Sequence, residues 1–167
     1  AVLSDSDYFE DGNYLGNKLS YYLVYKQSFG AEKCAIATYK NFSNAVSGLN
    51  ITFDNGDVRL QYGDGSTQNT PIESFASLQD GTPHVIGVGL DADNGTAFWN
   101  FDGTERTQSV GTLTIDHGDV YLMTQENANR RSFDGHQGHN LIYGTYHDSS
   151  TRSSVVSYLA TVWGISI

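Results

Sequence analysis

The chain has 167 residues, 38% hydrophobic and 13% aromatic, which excludes a disordered polypeptide and suits one domain with a sizeable core. Nineteen acidic residues against nine basic ones leave a net charge of −10, an acidic surface that repels phosphate backbones and anionic lipid. Nucleic acid and membrane insertion are therefore set aside, and no segment approaches the roughly 20 apolar residues of a membrane-crossing helix.

Cys34 is the only cysteine, so no intrachain disulfide is available; its apolar setting, CAIATY, suits a small buried side chain. No signal-peptide pattern opens the chain, and Ala1 fits either loss of an initiator methionine or a cleavage site.

Residues 1–18 are acidic and glycine-bearing and read as an N-terminal arm. LSYYLVYK (19–26) is a strand, with Leu19, Tyr21, Leu23 and Tyr25 on one face and Ser20, Tyr22, Val24 and Lys26 on the other. Residues 28–30 turn the chain, 33–39 form a second strand, and 40–48 a loop. Residues 49–62 form a hairpin through Asn55-Gly56, a dipeptide that accepts the positive φ of a tight turn. A polar loop spans 63–71, and 72–78 is either a short helix or a strand.

The organising stretch is TPHVIGVGLDADNGTAFWNFDG, 82–103. Ile86, Val88 and Leu90 share one face of its first strand. Asp93-Asn94-Gly95 is the expected two-residue-type turn. Ala97, Trp99 and Phe101 then alternate with Phe98, Asn100 and Asp102, so this second strand is expected in mid-sheet, covered on both sides. Short strands are expected over 106–110, 112–115, 119–124 and 141–146, with a long polar loop at 125–138. Near the end, Ser149 and Ser150 are N-cap candidates. Val155, Tyr158, Leu159 and Val162 recur at helical spacing, and Gly164 sits where a helix stops. About ten short strands and one helix favour an antiparallel sandwich.

Two stretches resemble the concanavalin-A-like jelly-roll superfamily, and within it the laminin-G-like domains. One is PHVIGVGLDADNGTAFWNFDG; the other is the closing segment SFDGHQGHNLIYGTYHDSSTRSSVVSYLATVWG, with Trp163 before Gly164. The resemblance implies an all-β fold: a two-sheet antiparallel jelly-roll sandwich with one short C-terminal helix, 1–167 forming a single domain. Its members include lectins, adhesin modules, structural domains of phage particles, and polysaccharide hydrolases and lyases, and the fold does not choose among them.

Catalysis finds no support in the residues. Glycosidases need two carboxylates flanking the scissile bond. None of the five glutamates opens the Glu-x-Asp-x-x-Glu pattern of hydrolases with this fold, and Asp102 and Glu105 are separated by a glycine turn. A lyase set of His139, Tyr143 and Arg131 is not grouped by any motif. No metal site is assigned. The nearest approaches are Asp134, His136 and His139 for a transition metal, and Asp91, Asp93 and Asn94, which open like a calcium loop but reach Asp102 where its bidentate Glu belongs. Calcium therefore enters only as an optional ligand, since some laminin-G-like and lectin domains bind it.

The binding candidates are aromatic. Tyr62, Trp99, Tyr143 and Tyr146 lie near loops or strand ends and offer flat faces with polar edges. Arg130 and Arg131 are the one basic pair, set to bond Asp134 or Glu126 or to meet an acidic neighbouring subunit. The reading that follows is a non-enzymatic structural or adhesion module. Its first form is a phage virion-surface protein, a capsid decoration or tail-appendage part with other subunits as partners. The alternative is a carbohydrate-binding lectin-like domain on the cell surface or outside the cell.

Overall fold

A computed structural model describes residues 15–28, 33–38, 47–122 and 135–167. Eleven strands and one helix lie among them: β1 Lys18–Ser28, β2 Lys33–Ala37, β3 Ser47–Asp54, β4 Asp57–Asp64, β5 Gln68–Asn69, β6 Ile72–Ser74, β7 Asp80–Asp91, β8 Thr96–Phe101, β9 Thr104–Ser109, β10 Tyr121–Leu122, β11 His136–Tyr143 and α1 Ser149–Trp163. All strand pairs are antiparallel. One sheet runs β11-β1-β7-β8-β9; the other runs β10-β2-β3-β4-β5, with β6 also pairing β4. This is the expected all-β sandwich with one C-terminal helix.

The period-two runs place their apolar sets as expected. Tyr21, Leu23, Tyr25, Ile86, Val88, Leu90, Ala97 and Trp99 face Leu49, Ile51, Phe53, Val58, Leu60 and Tyr62 in one buried core. The opposite face of the five-stranded sheet is also covered. Tyr22, Val24, Val85 and Phe98 pack there against Val156, Leu159 and Ala160 of α1. Thus β8 is buried on both faces, as its sequence implied. Cys34 is fully buried, its Sγ 3.3 Å from Asn50 Oδ1.

Several local expectations are corrected. The β7–β8 loop has four residues, 92–95, and only Gly95 among them has positive φ. Asp91 sets this: its carboxylate accepts from the Asn94 backbone N at 3.1 Å and from Asn94 Nδ2 at 2.8 Å, an Asx-type turn that holds Asn94 out of the left-handed region. The tight turns with positive φ at both residues are Asn55-Gly56, as expected, and Asp102-Gly103, with φ of 52° and 93°, and 46° and 82°. Residues 112–115 form no strand, because their amides disperse to different partners. Leu113 N donates to Ala92 O and Ile115 N to Asn17 Oδ1, while Asp116 N donates to Gly63 O. The 72–78 segment is β6 followed by a turn. The last strand begins at His136, inside the expected polar loop, and ends at Tyr143. The expected arm lies mostly outside the described residues.

The helix lies across the sheet rather than at its rim, contacting β7 and β1. Its N-cap is Asp148, not Ser149 or Ser150; the Asp148 carboxylate accepts from Thr151 N at 2.7 Å. Gly164 is the C-cap in the left-handed region, as expected. The buried face is Arg152, Val156, Leu159 and Ala160, while Tyr158 and Val162 are exposed. Small side chains at 156 and 160 let α1 settle onto the Tyr22 and Phe98 rings, which rotates the expected stripe to one flank.

Candidate functional site

Strand β11 is one of the two edge strands, among the described residues, of the helix-covered sheet. Tyr143 ends it, 37% exposed, and the chain then crosses Tyr146 and His147 to the Asp148 cap. Tyr143 meets the edge of the buried Tyr22 ring at 6.1 Å and 80°, and the His147 ring at 4.5 Å. Tyr22 stacks on His147 at 5.8 Å, and its hydroxyl lies 3.0 Å from His147 Nδ1. The His147 backbone N donates to Ser20 Oγ at 2.9 Å. The three rings therefore brace one another, and the outer face of Tyr143 is presented on a fixed support.

An ion pair underlies the cluster. Arg152, 5% exposed, donates to Glu105 through Nη2 at 2.6 Å and Nε at 3.0 Å, and through Nη1 to His147 O at 3.0 Å. Its guanidinium lies over Phe98 at 4.5 Å and Tyr146 at 5.5 Å. Tyr146 in turn sets its edge on Phe98 at 5.5 Å. Burial holds the His147 imidazole below its ordinary value, with Arg152 adding to this and Asp148 opposing it, so the ring is neutral at pH 7. Burial pushes the Tyr22 phenol far up, so it keeps its proton. In the tautomer where Tyr22 donates to Nδ1, Nε2–H is the donor His147 offers a ligand. The ledge thus combines an exposed aromatic face with a neutral polar edge, groups suited to stacking on and hydrogen-bonding a ligand.

No protein-family model and no curated protein sequence matches the chain. Solved folds do. The CBM40 of Ruminococcus gnavus IT-sialidase, bound to alpha2,3 sialyllactose, superposes with a TM-score of 0.67 at 14% identity, over 83% of this chain and 82% of that one. The heptameric SAP-like pentraxin of Limulus polyphemus gives 0.64 at 13%, over 84% and 70%. Domains LG4-5 of the mouse laminin alpha1 chain give 0.63 at 15%, over 86% and 42%. The fold is a laminin-G-like, concanavalin-A-like sandwich.

Within this laminin-G-like sandwich, Tyr143 is exposed and Tyr146 is half-buried against Phe98 and Arg152. The other aromatic candidates are not on the surface. Trp99 is fully buried between the sheets, and Tyr62 is buried with its hydroxyl on Gly111 O, so neither ring is open to stack on a ligand. Burial pushes the Tyr62 phenol up to about 12. Arg130, Arg131 and Asp134 lie outside the described residues. His136 and His139 sit on β11, and among the described residues no group of three His, Cys, Asp or Glu converges on a metal position.

The carboxylates of the calcium-like loop already have partners. Asp91 Oδ2 lies 3.1 Å from Lys18 Nζ, and Asp93 Oδ2 lies 4.0 Å from it; Asp93 Oδ1 also accepts from Asn17 Nδ2 at 2.7 Å. The lysine ammonium occupies the role of the metal. Asp102 and Glu105 are committed as well. Asp102 accepts from Val85 N at 2.8 Å and contacts His84 Nδ1 at 2.6 Å, while Glu105 is clamped by Arg152.

Two positions of the candidate surface carry little or no site signal in the sequence. His147 carries no spacing signal, because its partners Tyr22 and Ser20 are more than 120 residues away. Trp163, 46% exposed, was visible only as the Trp-Gly ending.

Proposed function

We propose that this protein is a non-catalytic glycan-binding module whose contact surface is the Tyr143–His147 ledge. The observation that carries the reading is the open Tyr143 ring, immobilised by Tyr22 and His147 beside a neutral imidazole. Little conformational entropy is lost when a sugar ring packs on such a face. The fold adds support. The similar CBM40 is bound to sialyllactose, and the binding domain of botulinum neurotoxin DC, at a TM-score of 0.61 and 12% identity, is in complex with SialylT. These neighbours favour the lectin-like alternative over the virion-surface part that the sequence put first. A secreted or surface-displayed location fits the role, and the chain acts as a single binding unit.

A glycan array followed by calorimetry on the hits tests the reading. Tyr143→Ala is expected to weaken binding about tenfold or more, the effect of losing one anchoring aromatic. Thermal unfolding of the variant should remain cooperative and fall only slightly, by the loss of the Tyr143 contacts to Tyr22 and His147. An array without signal, or unchanged affinity in the variant, defeats the proposal.

A further inference from the structure

Trp163, the last residue of α1, lies at the opposite end of β11 from Tyr143. Its ring rests on Gly138: a side-chain carbon at that glycine would come 2.5, 2.7 and 2.9 Å from Cζ2, Cε2 and Cη2. Three adjacent ring atoms at nearly one distance mean that the indole lies face-down on the strand. Trp163 nevertheless keeps 46% of its surface exposed. Nε1 donates to His139 Nδ1 at 2.8 Å, which fixes the rotation of the ring.

The strand is shaped for this contact. Leu23 pairs with Asn140 and Tyr25 with Gln137, so three steps of β11 oppose two of β1. The extra residue is a bulge at Gly138–His139, and bulges re-aim side chains. Beyond it, Leu141 and Tyr143 return to the same outer face at period two. The flank of α1 beside this line is apolar. Ser153 and Ser157 line a shallow cleft of about 440 Å³ over β8 and β9. At 100° per residue, Val155, Tyr158 and Val162 fall on the other flank, on the β1 and β11 side. Tyr158 is 60% exposed and Val162 50%.

We infer that this strip is one extended site for an uncharged oligosaccharide lying along β11, with Tyr143 and Trp163 as two separate stacking positions. This rests on the glycan-binding reading above. Four residues lie between Gly138 and Tyr143 and the bulge absorbs one of the steps, so about four ladder steps separate the two platforms, roughly 14 Å at ~3.4 Å per step. A monosaccharide reaches one ring; only a chain of several sugars reaches both. The net charge of −10 repels a polyanionic chain and selects a neutral one. Joining two modest contacts through one chain raises affinity by making the second contact intramolecular.

The test is calorimetric titration of the intact chain with size-graded neutral oligosaccharides, from disaccharide to octasaccharide, prepared from xylan, mannan, galactan and β-glucan. Affinity is expected to rise about tenfold or more from the disaccharide to the longest chain, then level off once both rings are spanned. Trp163→Ala and Tyr143→Ala should each return the long chains to short-chain affinity, and Trp163→Phe should keep part of the gain. His139→Ala, which leaves the indole in place but unpinned, should lose a smaller part. If affinity does not depend on length, or only Tyr143→Ala weakens it, the extended site is overturned while the glycan reading stands. If wild type binds no oligosaccharide of any length, both are overturned.

Discussion

Gly87 and Gly89 interrupt the most apolar strand of the chain, and their partners explain why. A side-chain carbon at Gly87 would come 2.9 Å from the Tyr22 ring, and one at Gly89 would overlap the Phe98 ring. Both rings lie on the sheet face beneath α1 and are fully buried. The glycines are the floor that lets those rings lie flat. Gly89→Ala is expected to cost about 1–3 kcal/mol, the range for overpacking a core, read from urea unfolding. His84 supplies a second residue-scale outcome. It contacts Asp102 at 2.6 Å and Asp80 at 2.9 Å. Burial opposes its charged form, but hydrogen bonds and charge from the two carboxylates outweigh this and raise it above 6.5. Its contribution to stability is complete below 6.5 and fades as pH rises through the raised value. Asp80 works in the other direction. Hydrogen bonds from His84 and Thr82 hold it at about 2, so its share is complete above 3.8 and fades as pH falls toward 2. His84 and Asp80 together therefore favour the folded state most between pH 3.8 and 6.5. Melting temperatures measured across pH should decline above 6.5, and His84→Gln should remove that decline.

At the scale of elements, the helix shows what local sequence can and cannot say. Its existence, length and stop were legible, because capping and termination depend on neighbours within a few residues. Gly164 has φ of 65° and open space around it, so Gly164→Ala meets conformational strain alone. The expected loss is about 1–2 kcal/mol, the cost of placing an L-residue in the left-handed region, measured by thermal unfolding. The buried face was not legible. Arg152 does not count toward an apolar stripe, yet it is buried because Glu105, 47 residues away, meets it. Residues 112–115 fail as a strand for a related reason. Alternation marks a segment able to pair, but pairing needs one continuous partner, and their amides are divided among Ala92, Asn17 and Gly63.

For the whole molecule, the net charge of −10 is partly offset by local pairing. The DADNG loop concentrates carboxylates, but Lys18 already neutralises Asp91. Melting temperatures in EDTA and in excess calcium should therefore agree within about 1 °C, since a cation that must displace an ammonium adds little binding-linked stability. A marked rise with calcium would show that the loop rearranges to take the metal. The sequence alone determined the fold class, the strand faces and the burial of Ile86, Val88 and Leu90, because side-chain alternation and turn chemistry act between near neighbours. It also named Tyr143 and Tyr146 as binding candidates. Only the tertiary structure decided which aromatic rings remain open. Trp99 and Tyr62 look like Tyr143 in sequence, but sheet-on-sheet packing encloses the first two, while the outer face of β11 leaves the third in water. Exposure depends on what the rest of the chain places against a residue, and that contact is non-local.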